Sequence, residues 1–407
     1  MTVIAHPDAA HRRGSPAFRR ITVALFCAGL STFTALYAVQ AVLPALSTSF
    51  GLSPTEASLA VSVATGALAI GVLPLTALSD IVGRTTVMTV SLFSSAALSV
   101  LVALSPNFTV LLVLRVAEGV ALAGIQAVAM SYLAEELHRE SLGSAMGLYV
   151  AGTGLGGMTG RLVGALVDDV AGWRWALGTT ALITLLCAIA FRVTIVASAR
   201  FQPRPPRVRE LAGSIGRALT DLGLLGLFAA GFLLMSCFVT VYNFLGYRLL
   251  GPGFALSGTV VGLVFGVYLA GVISSAFIGR MVDRFGRPSM LIVTAATTLA
   301  GILLLGMGSL AAVIVGLIVT TGGFFAAHSV ASSWVSARSA VLHVQGSSVY
   351  VLFYYLGSSV GGTVGGLVFS AHGWTGVTYY TAALVATVLV VAVLLRGLLG
   401  RRATATA

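Results

Sequence analysis

Two short stretches of this chain set ionisable side chains among apolar ones. In "RVAEGVALAG", from Arg115 to Gly124, an arginine and a carboxylate, Glu118, stand three residues apart. Gln126 lies eleven beyond Arg115, so on a helix all three share one face. In "GGMTGRLVGALVDD", from Gly156 to Asp169, a single cation, Arg161, interrupts a glycine-striped run. An ionised group in hydrocarbon costs from about 2.5 kcal/mol upward, so it usually faces a cavity or another charge. The available chemistry is narrow. Glu118 is a candidate to carry a proton, Arg115 and Arg161 can hold an anion, or the three can form a purely structural charge cluster. No HExxH, GxSxG or paired-carboxylate pattern falls in an apolar run, so neither an enzyme nor a metal site is expected.

The elements that must position these groups follow from composition. Of 407 residues, 57% are hydrophobic and 9% charged, against about 25% charged in soluble domains, and mean hydropathy is +1.01. Twelve apolar runs lie near 21–45, 55–78, 86–104, 108–134, 142–166, 173–196, 221–246, 256–279, 288–308, 310–336, 345–370 and 374–395. Lipid offers backbone groups no hydrogen-bond partners and barrel-type alternation is absent, so these runs are expected to be helices. The first follows a basic leader but is too long for a signal peptide. Cys27, Cys187 and Cys237 lie inside apolar runs, as small packing residues would.

All 23 basic residues are arginine, and nineteen of them sit at the termini or in even-numbered loops. That bias predicts both termini in the cytoplasm of a cell-membrane protein and accounts for the net charge of +11 without nucleic acid. The segment "SARFQPRPPRVRELAGSIGR" divides the spans six from six. The resulting plan is a leader (1–20), a six-helix bundle (21–196), a cytoplasmic linker (197–220), a second bundle (221–396) and a tail (397–407).

The halves echo each other: "LTALSDIVGR" closes the second span and "FIGRMVDRFGR" the eighth, with Asp80 and Asp283 separated by 203 residues. A tight turn between long helices calls for Gly83 and Gly286, and its charges can satisfy helix ends. These loops resemble the signature cytoplasmic loop of the major facilitator superfamily. Asp283, Arg284, Gly286 and Arg287 match it in the second copy, and Asp80, Gly83 and Arg84 in the first. The resemblance implies twelve transmembrane helices in two pseudo-symmetric six-helix bundles around a central cavity. It also implies a conformational latch at these loops, with Glu135 or Glu136 as an acidic partner.

Around Arg161, the fifth span is similar to the antiporter motif of the drug-export branch. Gly147, Gly156, Gly160 and Gly164 keep its spacing, and Arg161 replaces its proline. With Gly152, the last three form a stripe that permits close helix approach. The resemblance pairs the fifth span with the eighth across the two halves, and the second with the eleventh. It also makes spans one, four, seven and ten line the cavity. Their polar residues are Tyr37 and Gln40, then Gln126, then Thr240, Asn243 and Tyr247, then His328 and Ser332. Tyr149, Tyr354 and Tyr355 are expected to be packing residues.

Two functions remain open. One is proton-coupled export of small apolar or amphipathic compounds through Glu118, with the proton gradient in place of a cofactor. The other is a carrier for an organic anion or sugar-like metabolite held by Arg115 and Arg161. Expected partners are a small-molecule substrate, protons and the bilayer, for a monomeric chain.

Overall fold

The computed structural model describes residues 11–198, 201 and 208–405, and among these it is almost entirely helical. The helices are α1 (Pro16–Ala41), α2 (Leu43–Phe50), α3 (Pro54–Val82), α4 (Arg84–Ala103), α5 (Phe108–Glu136), α6 (Arg139–Ala171) and α7 (Trp173–Thr194). They continue with α8 (Val208–Thr220), α9 (Leu222–Leu250), α10 (Gly258–Val264), α11 (Tyr268–Phe285), α12 (Arg287–Leu305), α13 (Leu310–Leu342) and α14 (Gly346–Ala405). A single 3-10 turn, Phe265–Val267, joins α10 to α11 into one span. The 60-residue α14 is two spans meeting at Gly373, where the backbone leaves helical geometry. With α6, whose many glycines lower its hydropathy, the described residues hold twelve candidate spans.

Capping residues explain where the helices begin. Ser15 accepts from the Phe18 amide ahead of Pro16, Ser53 and Glu56 form a reciprocal capping box, and Asn107, Asp221 and Ser309 cap α5, α9 and α13. The reading from sequence did not contain α2: Pro44 follows a break at Val42 and starts a short helix that folds over the end of the bundle. The first helix takes in the last residues assigned to the leader, and the end of the linker forms α8. Residues 1–10 of the leader, most of the proline-rich stretch and the last two tail residues lie outside the described residues.

The loops between α3 and α4 and between α11 and α12 have no intervening residues except Gly83 and Gly286. These adopt φ +100° and +78°, a region that side chains with a Cβ rarely occupy.

The glycine stripes of α6 and of the first part of α14 pack inside the halves rather than between them. Gly152, Gly156 and Gly160 lie against the backbone of Phe26, Leu30 and Thr34 on α1, the first span. In the second half Gly357, Gly361 and Gly365 lie equally close to Phe232, Ser236 and Thr240 on α9, the seventh. The Thr34 hydroxyl donates to the Gly156 carbonyl (3.2 Å), and Thr240 to that of Gly361 (2.9 Å). The fifth span does pair with the eighth, and the second with the eleventh, but not through this stripe. A stripe shows that a neighbour comes close, not which neighbour. Contact between halves uses other positions, with Gly262 of α10 against Ala165 of α6 and Gly362 and Gly366 of α14 against Ser62 and Thr55 of α3. Gly164 meets Ala41 at a looser distance, and Gly147 faces open space.

Candidate functional site

The structure divides the three-residue charge cluster in two. Arg115 and Glu118 are each 1% exposed and pair at 2.6 Å, on one face of α5 as their spacing requires. Arg115 also donates to the carbonyls of Ala60 (2.9 Å), Leu36 (2.8 Å) and Ala35 (3.2 Å), and Glu118 accepts from the Ser99 hydroxyl. The pair therefore ties α1, α3, α4 and α5 together inside the first half, and neither residue lines the central cavity.

Arg161 is also 1% exposed, but its surroundings differ. Its Nε donates to Gln40 Oε1 (2.7 Å) and its Nη1 to the Gly157 carbonyl (2.7 Å). The guanidinium lies 4.4 Å from the Tyr37 ring centroid, 4.6 Å from that of Tyr268 and 5.2 Å from that of Tyr242. Among the described residues it forms no ion pair, with Glu118 or with Asp168 and Asp169. Three aromatic faces and two oxygens solvate the cation, each desolvated ring contributing about 2 kcal/mol. Its formal charge stays uncompensated.

Bonds that join the halves gather at the face opposite the arginine-rich loops. Gln40 Nε2 donates to Asn243 Oδ1 (2.6 Å), Ser47 and Tyr247 share a hydroxyl bond (2.6 Å), and Thr55 meets Ser370 (2.8 Å). Asp169 accepts from the amides of Gly258 (3.1 Å) and Thr259 (2.9 Å) and from the Thr259 hydroxyl (2.6 Å), clasping α6 to the start of α10. Gln40, Asn243 and Tyr247, expected in the cavity, belong to this seam, and Thr240 is a packing residue. Replacing Asn243 by leucine leaves the Gln40 amide nitrogen unpaired, a cost of about 1–3 kcal/mol to the closed seam. A cysteine at fully buried Leu46 is then expected to react about tenfold faster with an impermeant maleimide, in a background without the native cysteines.

Beyond the apolar run of α6, burial and the neighbouring Asp169 push the Asp168 carboxyl up to about 6. A carboxylate raised in this way opposes the fold when ionised, an effect absent below its ordinary pKa and complete above about 6. Asp168→Asn is therefore expected to stabilise the protein at pH 8 by about 1 kcal/mol after solvent screening, read as a higher thermal midpoint, and to leave the midpoint unchanged near pH 3.5.

Beneath the seam lies a cavity of about 280 Å³ that reaches toward the arginine-rich face. Tyr37, Gln126, His328 and Ser332 line it. Tyr149, Tyr354 and Tyr355, read from sequence as packing, line it as well, together with Phe238, Tyr268 and Phe324. Phe238 stacks on Phe324 at 3.9 Å, and His328 Nδ1 lies 3.0 Å from the Tyr350 hydroxyl. The i, i+4 spacing of Tyr350 and Tyr354 was the available signal for this wall. Tyr37 and Tyr268 belong both to the cavity wall and to the box around Arg161, so one ring separates the cation from the cavity.

At the arginine-rich face the first latch loop is closed on its own half. Arg84 pairs with Asp80 (2.7 Å) and Glu135 (3.0 Å), while Glu136 instead accepts from the Ser198 hydroxyl (2.7 Å). In the second loop neither Asp283, Arg284 nor Arg287 forms an ion pair among the described residues. The second half is pinned instead by Arg338 on Asp221 (2.5 and 2.7 Å), a pair that no motif announced.

Comparison with known proteins agrees with this architecture. Residues 25–250 and 227–406 each match the profile of the Major Facilitator Superfamily. The chain is 42% identical over 390 residues to the uncharacterized MFS-type transporter YybF of Bacillus subtilis, covering 96% of both chains. It is 40% identical over 399 residues to the inner membrane transport protein YnfM of Escherichia coli, covering 98% of this chain and 95% of that one. A bacterial homolog of the human lysosomal transporter Spinster, in an inward-facing and occupied conformation, superposes with a TM-score of 0.76 at 15% identity, covering 94% of this chain and 97% of that one. The human organic anion transporter MFSD10 does so with 0.70 at 18% identity, covering 92% and 99%. Those two likenesses are of fold. With the profile matched in both halves and relatives at 40% identity or more along nearly the whole chain, this protein belongs to the Major Facilitator Superfamily of membrane transporters.

Proposed function

We propose that this transporter carries amphipathic organic anions with an aromatic or otherwise apolar body, by alternating access and outward across the cell membrane. The observation that carries the reading is Arg161: a fully buried cation with no acid partner among the described residues, one tyrosine ring from an aromatic-lined cavity. At an effective dielectric near 20, an anion about 8 Å from a unit positive charge gains roughly 2 kcal/mol over a neutral analogue. The aromatic walls supply the apolar contact that such a substrate's body needs. Export is the direction favoured by the fifth-span glycine spacing that resembles the drug-export branch. On the positive-inside rule the arginine-rich face is cytoplasmic, which makes the arrangement described here one that loads from inside.

Glu118 is not the coupling group in this reading, because its oxygens are held by Arg115 and Ser99 away from the cavity. The first alternative, export of neutral or cationic compounds through a titrating Glu118, is the reading to be displaced. Proteoliposomes with an imposed pH gradient test both, using a naphthalene carboxylate, its primary amide and the matching amine. Saturable movement of the carboxylate at least tenfold above the other two supports the proposal. Equal or faster movement of the amine, with pH dependence lost in Glu118→Gln, overturns it.

A further inference from the structure

A second concavity lies away from the central cavity, on the outer surface of the bundle. It has a volume of about 410 Å³ and is walled by α11, α12 and α13. Its floor is made of small residues, Ser274, Gly322, Gly323 and Ala326, and its rim of Phe277, Met281, Val293 and Ile318. The rim side chains are 43–56% exposed, as lipid-facing residues of a spanning protein are.

The hydroxyls inside it are all turned back on helix carbonyls. Ser274 donates to Gly271 and Gly322, Thr294 to Met290 and Thr297 to Val293. The groove therefore presents hydrocarbon and no free hydrogen-bonding group, which suits an acyl chain.

Its end at the arginine-rich face is different. Arg284 follows Met281 by three residues and Phe277 by seven, so it continues the groove-lining face of α11. Arg287 precedes Met290 by three and Thr294 by seven, and continues that of α12. Arg280 lies over the Phe277 ring (5.8 Å), and Arg287 Nε is buried without a hydrogen-bond partner. Asp283 is the acid of this turn, so three arginines face one carboxylate.

We infer that this groove is a binding site for one anionic phospholipid, with an acyl chain lying between α11 and α13 and the headgroup phosphate over Arg284 and Arg287. Apolar length and terminal positive charge together match that ligand and no soluble anion. Lipid held there would bridge the eighth, ninth and tenth spans at the loop that resembles a latch.

Native mass spectrometry of the full-length protein tests this, with titration of dioleoyl phosphatidylglycerol against dioleoyl phosphatidylcholine. One phosphatidylglycerol is expected to be retained at least fivefold over phosphatidylcholine. The double variant Arg284→Gln, Arg287→Gln is expected to lose that preference. Gly322→Leu fills the groove, since a Cβ there meets only Ala270 and Ser274 at 3.8 and 4.0 Å, and is expected to lose retention of both lipids. Arg192→Gln, at the same face on α7, is expected to change nothing. The inference fails if the double variant keeps the preference, if Gly322→Leu keeps retention, or if Arg192→Gln lowers it as far as the double variant does.

Discussion

Replacing Arg161 by glutamine is expected to weaken binding of a carboxylate-bearing aromatic substrate about thirtyfold while leaving its neutral amide nearly unaffected. The reasoning is electrostatic. Roughly 2 kcal/mol of attraction is lost with the charge, and each 1.4 kcal/mol is a factor of ten in affinity. Glutamine keeps a donor for Gln40, so the seam above it is preserved better than by alanine. A purely structural Arg161 would give another result, with both ligands weakened alike and the protein less stable. Isothermal titration of the purified protein with the matched ligands separates these outcomes.

The second large effect is expected at Glu118, on stability rather than on coupling. Glu118→Gln leaves the Arg115 guanidinium buried without its counter-charge, and breaking one partner of a buried pair costs about 3–5 kcal/mol. The thermal midpoint of the detergent-solubilised protein should fall by many degrees. The double variant Arg115→Leu, Glu118→Leu should recover most of the loss, because apolar replacement of a whole buried pair is often close to neutral. An unchanged midpoint, with transport that no longer depends on pH, would return Glu118 to a proton-carrying role.

The contrast between these two arginines also shows how far sequence reaches. Arg115 and Glu118 share a helix, so a spacing of three places them together without tertiary knowledge. Gly83 and Gly286 were equally legible, because the turn between two long helices has few backbone solutions. Arg161 was legible as an anomaly but not as a site. Its partners Tyr37, Gln40, Tyr242 and Tyr268 come from three other spans, and only the packing of the halves brings them within reach.

The cavity wall was hidden for a related reason. An aromatic residue in an apolar span packs equally well against lipid, a neighbouring helix or a substrate, so Tyr149 carried no mark that distinguished the three, and Tyr354 only its spacing from Tyr350. The glycine stripe of α6 gave the opposite difficulty: its geometry was plain and its partner was not. The use of Asp169 as a cap for α10 depends on a helix that begins 89 residues later.

In the proposed function Arg161 selects for negative charge beside a cavity walled largely by aromatic rings. The most direct test of that selection is the ratio of transport rates for the naphthalene carboxylate and its amide, measured in wild type and in Arg161→Gln under identical gradients. The account predicts a ratio of ten or more in wild type that falls close to one in the variant. An unchanged ratio in Arg161→Gln, or a wild-type ratio near one, would contradict it.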